Sequence, residues 1–88
     1  MRTVFKKQFA KQIESLNNKK LKATLMDTIV EIENCQSISE ISNLKKLKGF
    51  KDFYRIRVGD YRIGIKVEKD TVTFAAFQHR KDIYKYFP

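Results

Sequence analysis

The sequence predicts an α+β domain of two layers: an N-terminal antiparallel helix hairpin packed on an antiparallel β-meander, with a short N-terminal edge strand. Three observations predict it. Apolar residues recur at helical spacing in the first third of the chain, as Phe5, Phe9, Ile13 and Leu16 and then as Leu21, Leu25, Ile29 and Ile32. From Tyr54 onward the spacing changes to strict alternation, the period of a half-buried strand. Gly59-Asp60 interrupts that alternation with the composition of a two-residue hairpin turn. The 88 residues suffice for one domain with a modest core, spanning 1–88.

Taken in order, residues 1–5 (MRTVF) are too short to define an element alone but could supply an edge strand. The first helix runs from Phe5 to Leu16, with Lys6, Lys7, Lys11 and Glu14 on its outer side. Asn17-Asn18 ends it, and Asn18 is suited to cap a second helix reaching about Asn34, whose stripe Met26 and Val30 widen. Polar residues from Gln36 to Asn43 predict a connecting loop. Leu44 to Gly49 reads as a short strand or a turn leading into the sheet.

The hairpin Tyr54 to Val67 carries the most information. A turn at Gly59-Asp60 sets Val58 opposite Tyr61, Ile56 opposite Ile63 and Tyr54 opposite Ile65, all on one apolar face. The other face then carries Arg57 opposite Arg62 and Arg55 opposite Gly64. Like charges directly across a strand pair are destabilising, so such a pairing suggests a face built to hold an anion. Of the 19 Lys and Arg residues only five are Arg, and four of those (Arg55, Arg57, Arg62 and Arg80) belong to this region. The planar guanidinium is the side chain suited to forked contact with phosphate. A second turn at Lys69-Asp70 extends the alternation through Val72, Phe74 and Ala76. It places Ala75 beside Gly64, Phe77 beside Arg62 and His79 near Asp60 on the basic face.

Composition narrows the partners. A net charge of +9 favours a polyanion or an acidic protein. One cysteine, Cys35, precludes an internal disulfide and fits a reducing cytoplasm, and a single His beside it argues against a metal site. No cofactor is expected. No apolar run approaches the roughly 20 residues of a membrane span, and the N-terminus lacks a signal core, so a soluble cytoplasmic protein with no membrane partner is expected.

The blocks LKGFKDFYRIRVGDYRI (Leu47 to Ile63) and HRKDIY (His79 to Tyr84) resemble the RelE/ParE toxin superfamily of bacterial type II toxin–antitoxin pairs, and the resemblance covers nearly the whole chain. It implies a RelE/ParE-like fold and, for the RelE-like branch, a ribosome-dependent endoribonuclease that cuts mRNA in the decoding site. Such a toxin is neutralised by a cognate acidic antitoxin protein. The ParE-like branch instead implies a DNA gyrase inhibitor without nuclease activity. Motif by motif, Arg55 and Arg57 hold positions where RelE-type toxins aim basic residues at mRNA phosphates. Arg62 holds the arginine of the YR pair, Arg80 the arginine after the last strand, and Tyr84 the C-terminal tyrosine. Arginines stand at the first two positions where relatives have lysines, and an arginine cannot serve as a general base.

These residues permit metal-free RNA cleavage, in which the ribose 2′-OH attacks the adjacent phosphate. Arg62 and Arg80 would stabilise the phosphorane, with Arg55 and Arg57 on flanking phosphates. His79, the one side-chain type here that ordinarily titrates near neutrality, and Tyr84 are the candidates for proton transfer. Phe77 is a candidate for stacking on a base. Lys48, with Lys45, Lys46 and Lys51, is expected to hold RNA electrostatically. Structural roles compete with these: His79 hydrogen-bonding Asp60, and Tyr84, Tyr86 and Phe87 clamping the C-terminus on the core.

Overall fold

The structure is a computed structural model that describes residues 1–88. The chain runs β1 (Arg2–Phe5), α1 (Lys7–Glu14), α2 (Lys19–Asn34), β2 (Leu44–Lys46), β3 (Phe53–Val58), β4 (Tyr61–Glu68), β5 (Thr71–His79) and α3 (Ile83–Tyr86). The strands form one five-stranded sheet in the order β1-β5-β4-β3-β2, antiparallel except where β1 joins β5 in parallel. The two-layer α+β expectation holds, and the N-terminal edge strand is present.

Phe5 belongs to β1, and the first helix starts two residues later. Its ring stacks on Phe74 at 5.0 Å and lies 6.0 Å from Phe9, so it serves the helix–sheet seam from the strand side. The Asn18 side chain accepts a hydrogen bond from the Leu21 amide at 3.0 Å, satisfying one of the orphan donors at the start of α2. Leu25, Ile29 and Ile32 are buried, whereas Met26 and Val30 remain exposed, so the apolar stripe of α2 is narrower than expected. In the loop that follows, Glu40 accepts from the backbone amides of Gln36 and Ser37 and closes a single 3-10 turn. Cys35 is buried at the end of α2, and that burial, followed by the charges of Glu40 and Glu31, pushes its thiol up. It is a core residue with no nucleophilic role.

Gly59 adopts the left-handed φ of +59° that tight hairpin turns place at their first central residue. The β3–β4 register follows from it: Val58 opposite Tyr61, Ile56 opposite Ile63, and Arg57 opposite Arg62. The main core fills the helix side of the sheet, with Phe9, Leu25 and Ile32 meeting Ile56, Ile63, Ile65 and Phe74. A smaller apolar cluster lies on the opposite side, where Leu47, Ala76, Ile83 and Phe87 pack with Phe53. The C-terminus thus folds back over part of the basic face.

The β4–β5 ladder departs from the expected register at one point. Val67 opposes Val72 and Ile65 opposes Phe74, but Gly64 opposes Ala76, leaving Ala75 as an extra residue. A β-bulge of this kind turns every later side chain to the other face. The physical reason is the run Phe74-Ala75-Ala76-Phe77. Two phenylalanines three apart cannot both enter the core from a regular strand, and the bulge admits both. The structure closes the bulge from the helix layer, because the Phe77 amide, lying beyond the end of β1, donates to Gln12 Oε1 of α1 at 2.8 Å.

Candidate RNA-binding face

Rows of side chains cross the exposed side of the sheet. One row is Arg57, Arg62 and Gln78, and the next is Lys45, Arg55, Gly64 and Ala76. No strand position in either row carries a carboxylate. Cross-strand repulsion therefore goes uncompensated within the sheet, a cost that a bound polyanion would remove.

Arg62 is the most constrained member. Its Nη1 donates to the carbonyls of Gly59 at 2.9 Å and Tyr61 at 2.8 Å, which fixes the guanidinium over the hairpin turn. Burial holds this guanidinium below its ordinary value, and the charges of Arg55, Arg57 and Arg80 push the same way against a smaller opposing effect of Asp60. Arginine remains charged at neutral pH all the same. Four guanidiniums thus act on one another at this end of the sheet. Arg55 is half-buried, and its Nε–H is buried without an acceptor. The Arg80 amide donates to the Asp60 carbonyl at 2.8 Å, anchoring the segment after β5 beside the β3–β4 turn.

Tyr84 joins this face from α3. Its ring lies under the Arg55 guanidinium at 6.0 Å and is 63% exposed. What positions it is the seat of the C-terminus. Phe87 is buried with its ring against Gly64, so close that a Cβ there would stand 2.6 Å from it. Phe87 is thus the C-terminal clamp, while Tyr84 and Tyr86 stay exposed.

Two expected site residues lie elsewhere. Phe77, expected to stack on a base, is only 4% exposed in the main core, with its ring stacked on Tyr61 at 5.0 Å. The bulge put it there, and Gln78 takes its place beside Arg62. His79 is turned the same way. It pairs with Tyr61 on the helix side, the two rings edge to face at 5.5 Å, and its Nδ1 accepts from the Lys81 amide at 3.2 Å. It makes no hydrogen bond to Asp60. Lys48 is exposed beside Arg55 and Tyr84, in a groove of about 490 Å³. The signal that would have found the bulge is the FAAF run itself.

The family profile described as "ParE toxin of type II toxin-antitoxin system, parDE" matches residues 3–84. Toxin RelE3 of Methanocaldococcus jannaschii is 40% identical over 89 residues, covering all of both chains. The toxin in the RelB–RelE antitoxin–toxin complex from Methanococcus jannaschii superposes with a TM-score of 0.81 at 40% identity, over 97% of this chain and 99% of that one. The archaeal RelE–RelB complex from Pyrococcus horikoshii gives 0.73 at 26% identity, over 90% and 93%.

Proposed function

The chain belongs to the RelE/ParE superfamily of type II toxin–antitoxin toxins and is RelE-like within it, and on that premise we propose that it is a ribosome-dependent endoribonuclease that cleaves mRNA. The observation that carries this reading is the convergence of Arg55, Arg57, Arg62 and Arg80 with the Tyr84 phenol. A face that only docks on a protein has no need to hold one guanidinium against three others.

The 2′-hydroxyl of one ribose loses its proton and attacks the adjacent phosphorus. The phosphorane forms, its bond to the 5′-oxygen breaks as that oxygen takes up a proton from solvent, and a 2′,3′-cyclic phosphate remains. Arg62, held in place before substrate arrives, neutralises the phosphorane together with Arg80. Preorganisation matters because a donor that need not reorient keeps its full stabilisation for the transition state. Arg57 and Arg55 hold flanking phosphates. Tyr84 is the preferred proton acceptor, because its ring lies against Arg55 of the basic face, whereas the His79 imidazole packs on Tyr61 on the other. Lys48 and its neighbours steer RNA. The cognate antitoxin, which the RelB–RelE relatives hold as their partner, blocks this face.

Cleavage of ribosome-bound mRNA by the purified toxin, mapped at its 5′ ends, tests the reading. Intact mRNA beside strong growth arrest would reject it. The ParE description of the matching profile supports a second reading, gyrase inhibition. Loss of supercoiling activity with mRNA left intact is its signature.

A further inference from the structure

Phe50 is a large apolar side chain left half exposed, at 50%, in the loop between β2 and β3. The loop is built to hold it there. Gly49 and Asp52 both adopt left-handed conformations, with φ of +84° and +68°, and the Leu47 amide donates to the Phe53 carbonyl at 2.9 Å across the base of the turn. The Asp52 conformation costs an L-residue energy and is therefore maintained by the rest of the turn. The ring is also braced. Phe50 meets Phe53 edge to face at 6.3 Å, and Phe53 meets the buried Phe87 at 5.5 Å. Beside it opens the groove of about 490 Å³, lined by Lys45, Lys48, Arg55 and Tyr84, by Pro88 at the chain end, and by no acidic side chain. That volume lies in the range of small-ligand pockets.

We propose that this groove is a base-stacking subsite for an unpaired nucleotide of single-stranded RNA flanking the cleavage point, with Phe50 as the platform. The inference rests on the nuclease reading of the neighbouring arginines and extends it. An aromatic platform in a cationic groove is what a single strand requires, because every base has a face to stack and every linkage a charge. Arg55 belongs to both the groove and the basic face, so one phosphate held there connects the stacked nucleotide to the reacting one.

The chain contains no tryptophan, so Phe50→Trp installs a single fluorophore on the platform. A 2′-O-methyl RNA hexamer, which has no 2′-hydroxyl nucleophile, should quench it saturably. An abasic hexamer of the same charge should not. Phe50→Leu should weaken hexamer binding about tenfold or more, and Phe50→Tyr should restore it. Equal quenching by the abasic strand, no quenching by RNA, or a Leu variant that binds like the parent each overturns the subsite. Quenching by an acidic peptide but not by the RNA hexamer also overturns it, and would make the groove a protein-docking site. The two readings fail separately: a quenched tryptophan with uncleaved mRNA rejects the nuclease, and normal cleavage with an unquenched tryptophan rejects the subsite.

Discussion

Arg62 faces two opposed forces in the free protein. Its Nη1 donates to two backbone carbonyls, and the other three guanidiniums repel it. Water can replace the first contribution at this exposed turn, but only counter-ions relieve the second. Arg62→Ala is therefore expected to leave the melting temperature within a few degrees of the parent, and to compare best at low salt, where repulsion is least screened. Burial and those three charges hold the Arg62 guanidinium below its ordinary value. Its destabilising effect is present throughout the acidic and neutral range and is relieved only as pH rises through the folded-state value. Activity should move much further, falling about 10²–10³-fold with loss of one preorganised donor. A variant that melts far below the parent yet still cuts would make Arg62 a structural residue. At the proton-transfer step, Tyr84→Phe should cost far more cleavage than His79→Gln. The measurement is single-turnover cleavage on programmed ribosomes, and the reverse order would return the role to His79.

The sheet elements show where alternation is a sufficient guide and where it stops. Arg55, Arg57 and Arg62 could be placed on one face from sequence because Gly59-Asp60 pins the β3–β4 register, and a one-residue slip would have buried all three. Nothing pins β5 in that way. Its register changes at Ala75 because packing two phenylalanines outweighs regular pairing, and that decision moved Phe77 and His79 off the basic face. Deleting Ala75, the extra residue, would set Phe74 and Phe77 two positions apart, so a regular strand in the observed register would hold both in the core and return neither Phe77 nor His79 to the basic face. Stability within about 1–2 kcal/mol of the parent is therefore expected, read by chemical denaturation. A loss of about 3–5 kcal/mol would mean that a phenylalanine has left the core and that the bulge serves something other than their spacing. The seat of α3 was less legible, because four residues of helix carry no periodic signal. Gly64 did mark a close backbone approach within a strand, which the Phe87 ring supplies. Gly64→Ala should displace that ring at about 1–3 kcal/mol and carry Tyr84 from Arg55, so cleavage should fall further than stability alone explains. Phe50 went unnoticed as a site residue, since nothing in its spacing distinguishes it from core.

At the scale of the whole molecule the chain carries a net charge of +9, and the arginine cluster on the sheet is a part of it that no salt bridge offsets. Lys66 pairs with Glu68 at 3.3 Å and Lys85 with Asp82 at 3.7 Å, but neither pair involves an arginine of the basic face. The field therefore reaches solvent and acts on any partner before contact. For the antitoxin this separates two quantities that a dissociation constant mixes. Long-range attraction sets the association rate, and that rate should fall about tenfold or more as ionic strength rises from roughly 0.05 to 0.5 M, because the Debye length contracts to a few ångströms. The dissociation rate should change far less, since contacts already formed are mostly shielded from salt. Stopped-flow or biosensor kinetics across that range would show it. The same concentration of charge makes the free toxin a phosphate sink, so inorganic phosphate should raise its melting temperature and should do so less for Arg62→Ala. The antitoxin complex should show little of this gain if the partner's own charges occupy the basic face. Equal stabilisation of the free and bound toxin by phosphate would mean that the antitoxin neutralises from a different surface, leaving the arginines open and acting on the C-terminal seat instead.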